Sequence, residues 1–309
     1  MEFLILAWRQ GTRRQYECYL KKWLHKCKID NVDPVHPSLD YVLQFLLASY
    51  KEGLNYSTIG TIRSALSSII TLDGKPVGKH DTVCSFMRAV YQERPSIQRT
   101  VTWEVNDVLT FLKTLSPVHS LSLELLTKKT LMMMAILSGQ RGQTLHVLRK
   151  ELMDVSDKEV TFYVREKLKT SKPGRHYPEI KFKSYSVDPD LCVVNCINTY
   201  LKRTEQYRCS EESQFFLTYG GSHYECSRAS ISRWIRDILI GAGIDVCKFS
   251  SGTTRAASTS AAKMVCNMDT VLKAGGWSCE STFTKFYNMP IKPKCAFQDG
   301  VMERFQKKT

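Results

Sequence analysis

No run of about 18 uncharged apolar residues occurs anywhere in the 309-residue sequence. That absence predicts a chain without a membrane-spanning helix. The opening Met1-Glu2-Phe3-Leu4-Ile5-Leu6-Ala7-Trp8 has an acid at its second position, a short apolar run and no cleavage-like site, which argues against a secretory signal. No Cys-x-x-Cys pair is present, and the 11 cysteines are an odd number. Scattered cysteines without a signal predict a reduced intracellular compartment rather than a disulfide scaffold. Cys192 and Cys196 with His223 and Cys226 allow a zinc site to be drawn, but the spacing between the two pairs fits no zinc pattern. Small buried side chains are the plainer reading of these cysteines. Internal repeats and low-complexity tracts are absent as well. Carboxylates are in deficit, 30 against 44 Lys and Arg, leaving +14. They are nowhere clustered, which argues against two-metal nuclease chemistry. A fixed positive excess attracts polyanions through counterion release, so nucleic acid is the favoured partner.

What is present is 43% hydrophobic, enough to give cores to two ordinary domains. Between Trp8 and Arg94 the periodicity predicts four helices. The third spans Tyr56 to Ile70, with Ile59, Ile62, Leu66 and Ile69 on one face. Residues 94–102 are poor in apolar side chains and read as a linker between an N-terminal domain, 1–93, and a second domain, 103–290. In the second domain the period changes over Val160–Glu166 and His176–Phe182. These read as two strands joined across Lys172-Pro173-Gly174, a β-hairpin inside an otherwise helical domain. Helices return over Leu191–Arg203 and Ser227–Ala242, followed by a run of small residues from Thr254 to Val265. A last helix begins after Trp277, with Ser278 as its cap, and ends before Pro290; residues 291–309 form a basic tail. The expected class is mainly α with a small β element.

Three segments carry groups suited to phosphoryl chemistry. In Leu137-Ser-Gly-Gln-Arg-Gly-Gln-Thr-Leu-His-Val-Leu148, Gly139 separates two apolar helices and Arg141 opens the second. A guanidinium beside free helix N–H groups can cradle a phosphate; alone, it could equally pair with a surface carboxylate. In Phe249-Ser-Ser-Gly-Thr-Thr-Arg-Ala-Ala-Ser-Thr-Ser-Ala-Ala262, Arg255 is surrounded by small residues that permit close backbone approach. In Gly275-Gly-Trp-Ser-Cys-Glu-Ser-Thr-Phe-Thr-Lys-Phe-Tyr-Asn288, Trp277 precedes a helix and Tyr287 lies near its end.

Taken in order, these segments resemble the tyrosine recombinases, the family of phage integrases and chromosome-dimer resolvases, over nearly the whole chain. Ser-Gly-Gln-Arg at 138–141 is similar to the family's first arginine motif, with Thr144 where an acid is usual. The separation of Arg255 from Tyr287, 287 − 255 = 32 residues, matches the second arginine and the nucleophile. The wording of Lys169-Thr-Ser-Lys-Pro-Gly174, of Phe-Ser-x-x-x-Thr-Arg at 249–255 and of Gly-Trp-Ser-x-Glu-Ser-Thr-Phe at 276–283 is closest to recombinases of eukaryotic DIRS and crypton elements.

The resemblance implies a two-domain, C-shaped clamp around double-stranded DNA and a site-specific recombinase or integrase that needs no cofactor. Tyr287 would be the nucleophile forming a 3′-phosphotyrosyl link. Arg141 and Arg255 would hold the non-bridging phosphate oxygens. A hairpin lysine would protonate the leaving oxygen, with Lys169 preferred and Lys167 and Lys172 as alternatives. Trp277 would bond a phosphate oxygen and pack behind the nucleophile. Phosphate contacts are expected from Arg13, Arg14, Lys21, Lys22 and Arg63 in the first domain and from Lys172, Arg228, Arg233 and Arg236 in the second. Assembly as a tetramer on DNA and, in a eukaryotic host, a nuclear location are further implications. The departure from the family is Gly252, three positions before Arg255, where histidine is usual. A phenol ionises near pH ~10, and loss of a general base costs about 10²–10⁴-fold. Two neighbouring arginines would favour the phenolate in its place. The alternative is a DNA-binding protein that has kept the fold of a mobile-element enzyme and lost its chemistry. A type IB topoisomerase is a further rival, disfavoured by the short first domain.

Overall fold

The computed structural model describes residues 8, 10–95, 101–168, 171, 179–208 and 213–289. The chain divides into two compact units, Met1–Gln98 and Arg99–Thr309.

The described part of the first unit holds four helices, α1 (Gln10–Ile29), α2 (Leu39–Lys51), α3 (Tyr56–Leu66) and α4 (Asp81–Glu93). Their apolar faces close around Trp23, Leu46, Ile59, Ile62, Leu66 and Met87. Side-chain caps fix two of the starts: Ser38 Oγ accepts from the Tyr41 N–H, and Asn55 Oδ1 accepts from the Thr58 N–H. Helix α3 stops at Leu66, short of the expected Ile70. The hydroxyls of Ser67 and Ser68 turn back to the carbonyls of Arg63 and Ala65, the local competition that disfavours serine inside helices. Asp73 and Gly74 then adopt positive φ, 49° and 71°. This turn pairs Thr71–Leu72 (β1) with Lys75–Pro76 (β2), a short hairpin just beyond the expected helix that periodicity did not reveal. Arg94, expected in the linker, belongs to this unit: its guanidinium lies 3.9 Å from the Tyr50 ring centroid and donates to the Tyr50 carbonyl at 2.8 Å.

The second unit is built on α6 (Leu123–Ser138), a helix buried on nearly every side. Around it lie α5 (Val105–Thr114), the short α7 (Gly142–His146), α8 (Val193–Thr204), α9 (Arg228–Gly241), α10 (Thr254–Lys263), α11 (Met268–Gly275) and α12 (Glu280–Phe286). The expected hairpin, β4 (Glu159–Tyr163) with β5 (Glu179–Lys183), is part of a three-stranded antiparallel sheet completed by β3 (Met153–Val155) on the other edge of β4. Val160 faces Phe182 and Phe162 faces Ile180, so one side of the sheet packs into the core. The turn at Lys172-Pro173-Gly174 and the tail lie outside the described residues. The molecule is thus mainly helical with small sheets, as expected, and no described helix is long and apolar enough to cross a membrane.

Candidate active site

The small residues after Arg255 form α10, and their size decides where it sits. Ala256, Ala257, Ser258, Thr259 and Ser260 are all buried, and the Ser258 hydroxyl donates to the Ile136 carbonyl of α6. The two helices approach so closely that a Cβ on Gly139 would lie 3.0 Å from Thr259 Cγ2. Gly139 ends α6 in the left-handed conformation, φ 58°, with its N–H on the Ala135 carbonyl. Its own carbonyl then accepts from Arg255 Nη1 at 3.0 Å.

A second glycine turn meets the same guanidinium. Gly276 caps α11 in the left-handed conformation at φ 66°. The carbonyl of Gly275 accepts from Arg255 Nη2. The indole of Trp277 folds back over Gly275, where a Cβ would fall 1.8 Å from the ring; only glycine leaves this room. Gln140 ties the two turns together, its Nε2 donating to the Ala274 carbonyl at 2.6 Å.

Arg255, Trp277 and Tyr287 therefore form one cluster. The guanidinium carbon of Arg255 lies 3.9 Å from the Trp277 ring centroid and 5.2 Å from that of Tyr287. The Trp277 and Tyr287 rings are 4.7 Å apart at 58°. Arg255 is 3% exposed and Trp277 7%, yet Arg255 Nε and Trp277 Nε1 have no hydrogen-bond partner among the described residues. Burial, with the nearby charge of Arg141, pushes the pKa of Arg255 down to about 10, and the Tyr287 hydroxyl opposes the shift. The side chain remains a cation at neutral pH.

Arg141, half-buried, stands at the N-cap of α7, and its carbonyl accepts from the Thr144 N–H at 2.8 Å. Thr144 itself is buried. Gly252 lies exposed in a 3-10 turn, Ser251–Thr253, one turn before Arg255. A Cβ there would meet only Ser250 Oγ, at 3.7 Å, so the site has room for a side chain. The next residue, Thr253, is anchored through its hydroxyl, which accepts from Trp103 Nε1 at 3.0 Å. Helix α12 starts after Cys279, with no side-chain cap, and not on the expected Ser278. Hydrogen bonds from Ser281 and Thr282 hold the Cys279 thiol down to about 7.

Among the lysine candidates, Lys167 is exposed beyond the end of β4, whereas Lys169 and Lys172 lie outside the described residues. Arg13 and Arg14 are exposed on α1. Arg63 is half-buried on α3 against Gly78. Arg228, Arg233 and Arg236 are exposed on α9. None of these arginines forms an ion pair among the described residues. The zinc arrangement drawn from Cys192, Cys196, His223 and Cys226 does not assemble: no metal-binding group of three ligands forms among the described residues. Cys192 instead accepts from the Tyr185 N–H. Sequence reasoning missed Gln140, Gly275 and Ser260, whose roles are backbone contacts; the doubled glycine before Trp277 was the one available signal.

The fold is that of the tyrosine recombinases. The Tn1549 transposon integrase, solved with transposon right end DNA, superposes with a TM-score of 0.62 at 13% identity, over 98% of this chain and 95% of that one. A lambda integrase dimer bound to a COC′ core site gives 0.56 at 16% identity, over 94% and 93%. The XerH site-specific recombinase in a pre-cleavage complex with difH gives 0.56 at 14% identity, over 94% and 77%. No family model matches the sequence, and no curated protein matches it.

Proposed function

We propose that the chain is a tyrosine recombinase that cuts and rejoins double-stranded DNA. The observation that carries this reading is the cluster of Arg255, Trp277 and Tyr287, in which two buried N–H donors have no acceptor among the described residues beside a tyrosine ring. A buried donor without a partner costs about 1–3 kcal/mol, and a side-chain shift that admits an anionic oxygen beside the Arg255 cation would relieve that cost. A DNA phosphate fits that description, and Tyr287 stands next to it.

In the reaction, the Tyr287 phenol gives its proton to water, favoured by the neighbouring arginines, and the phenolate oxygen attacks phosphorus. A tyrosyl P–O bond forms, the bond to the 5′ oxygen breaks, and a 5′-hydroxyl is released after taking a proton from a hairpin lysine, Lys169 or its neighbours Lys167 and Lys172. Arg255 and Arg141 stabilise the charge that builds on the non-bridging oxygens. One phosphoester replaces another, so no nucleotide cofactor is consumed, and rejoining is the reverse step. Arg13, Arg14, Arg63, Lys172, Arg228 and Arg233 contact backbone phosphates, and the enzyme assembles as a tetramer on DNA. The motif wording is closest to eukaryotic mobile elements of the DIRS or crypton kind, and in a eukaryotic host the enzyme would act in the nucleus.

Gly252 favours a second reading, a DNA-binding protein without strand transfer, because no side chain there can take the phenol proton. One experiment separates the two. The protein is incubated with nicked duplexes tiled across the DNA flanking its gene, denatured with detergent, and examined for a covalent adduct. An adduct absent from Tyr287→Phe establishes the enzyme. Binding without an adduct, with one appearing in Gly252→His, establishes the second reading.

A further inference from the structure

Tyr287 sits at the end of a helix of only 7 residues, and the chain turns sharply after it. The Met289 N–H folds back onto the Tyr287 carbonyl at 3.0 Å. A turn of this size holds a side chain loosely unless another element grips its backbone. Within its own helix the Phe283 carbonyl accepts from the Tyr287 and Asn288 N–H groups at 2.8 and 3.0 Å; from outside that helix the grip comes from a single hydroxyl. Ser260, 5% exposed on α10, donates to the Tyr287 carbonyl at 2.7 Å and accepts from the Met289 N–H at 3.0 Å. It is the one side chain among the described residues that bonds the backbone on both sides of this turn.

Ser260 lies five residues after Arg255 on the same helix, an axial rise of about 7.5 Å. Thr259, between them, returns its hydroxyl to the Arg255 carbonyl at 2.7 Å, and Ser258 fixes the helix to α6. The helix that carries the guanidinium therefore also carries the tether of the tyrosine. We infer that Ser260 is a positioning residue for Tyr287, setting the phenol's place relative to Arg255 through the backbone of residues 287–289. The inference rests on the reading of Tyr287 as the nucleophile. Its reach is that reaction geometry tolerates little error, since a displacement of about 1 Å can cost about 10²-fold in rate.

The test uses the full chain and a nicked duplex on which the unaltered protein forms its adduct. Ser260→Ala should bind that duplex with unchanged affinity and form the adduct about 10²-fold more slowly. Ser260→Thr, which keeps the hydroxyl, should recover most of the rate, whereas Ser260→Cys, which keeps the volume with only a weak donor, should not, a split that loss of packing alone would not give. Adduct formation by Ser260→Ala at the unaltered rate, or no advantage of Thr over Ala, overturns the inference while leaving the proposed function standing. If the unaltered protein forms no adduct on any duplex, the proposed function fails instead. The tether is then judged without DNA, by hydrogen exchange at the Met289 amide, which should quicken at least about tenfold in Ser260→Ala; unchanged exchange overturns it.

Discussion

A guanidinium has five N–H donors, and Arg255 commits two of them to the carbonyls of Gly139 and Gly275. Three N–H groups remain beyond those two, and among the described residues the one on Nε is buried without a hydrogen-bond partner. A lysine keeps the charge and cannot span both carbonyls while presenting a further N–H. Arg255→Lys is expected to lower the single-turnover rate of adduct formation by about 10²–10³-fold, with DNA affinity close to normal. Equal rates would show that charge alone suffices. His146, on α7, makes a pH prediction. Burial lowers its pKa, helped by Arg228, so the unfolded chain binds a proton more readily than the folded one. This contribution to stability is complete above the unfolded value, near pH ~6.5, and is lost as pH falls below it toward the depressed folded value. His146→Gln should flatten the fall in denaturant midpoint between about pH 7 and pH 5; an unchanged slope would assign it to other groups.

At the level of elements, the site depends on two helix endings, and the second unit holds one buried lysine. Gly139→Ala would place a Cβ in the left-handed region, costing about 1–2 kcal/mol, and press it 3.0 Å from Thr259. The expected outcome is a stability loss of that order in urea unfolding, together with a slower reaction, because the Gly139 carbonyl that holds Arg255 must shift. Lys129 is fully buried on α6, and burial lowers its pKa. Its ammonium donates at 2.6 Å to the Leu115 carbonyl, at the end of α5, where a cation suits both the free carbonyls and the helix dipole. Lys129→Met keeps the volume and removes the donor, and should destabilise the second unit by about 1–3 kcal/mol. A neutral result in chemical denaturation would show that Leu115 finds another partner.

For the whole molecule, charge is the property that composition already exposes. An excess of 14 positive charges predicts that DNA binding by this chain, if it occurs, is sensitive to salt. If Arg228 and Arg233 of α9 each neutralise one phosphate, the double alanine variant should reduce the slope of log K against log salt by about 1.8, uniformly across sequences. An unchanged slope would remove α9 from the interface.

The sequence by itself determined the elements whose apolar residues repeat at helical spacing, as in α9, found within a residue of its expected ends. It also carried the resemblance of three motifs to the tyrosine recombinases, whose fold the chain has. It misjudged α3, where the apolar face runs through Ile69 and Ile70 although the backbone has already turned; periodicity reports which residues are buried, not the conformation that buries them. It found two strands of a three-stranded sheet, since Met153–Val155 is too short to show alternation. Only the tertiary structure decided what Arg255 touches. Its acceptors are carbonyls 116 and 20 residues away, supplied by glycine turns from two separate helix ends. A backbone carbonyl leaves no mark on composition or pattern, so its meeting with that guanidinium could follow only from the packing of α6, α10 and α11.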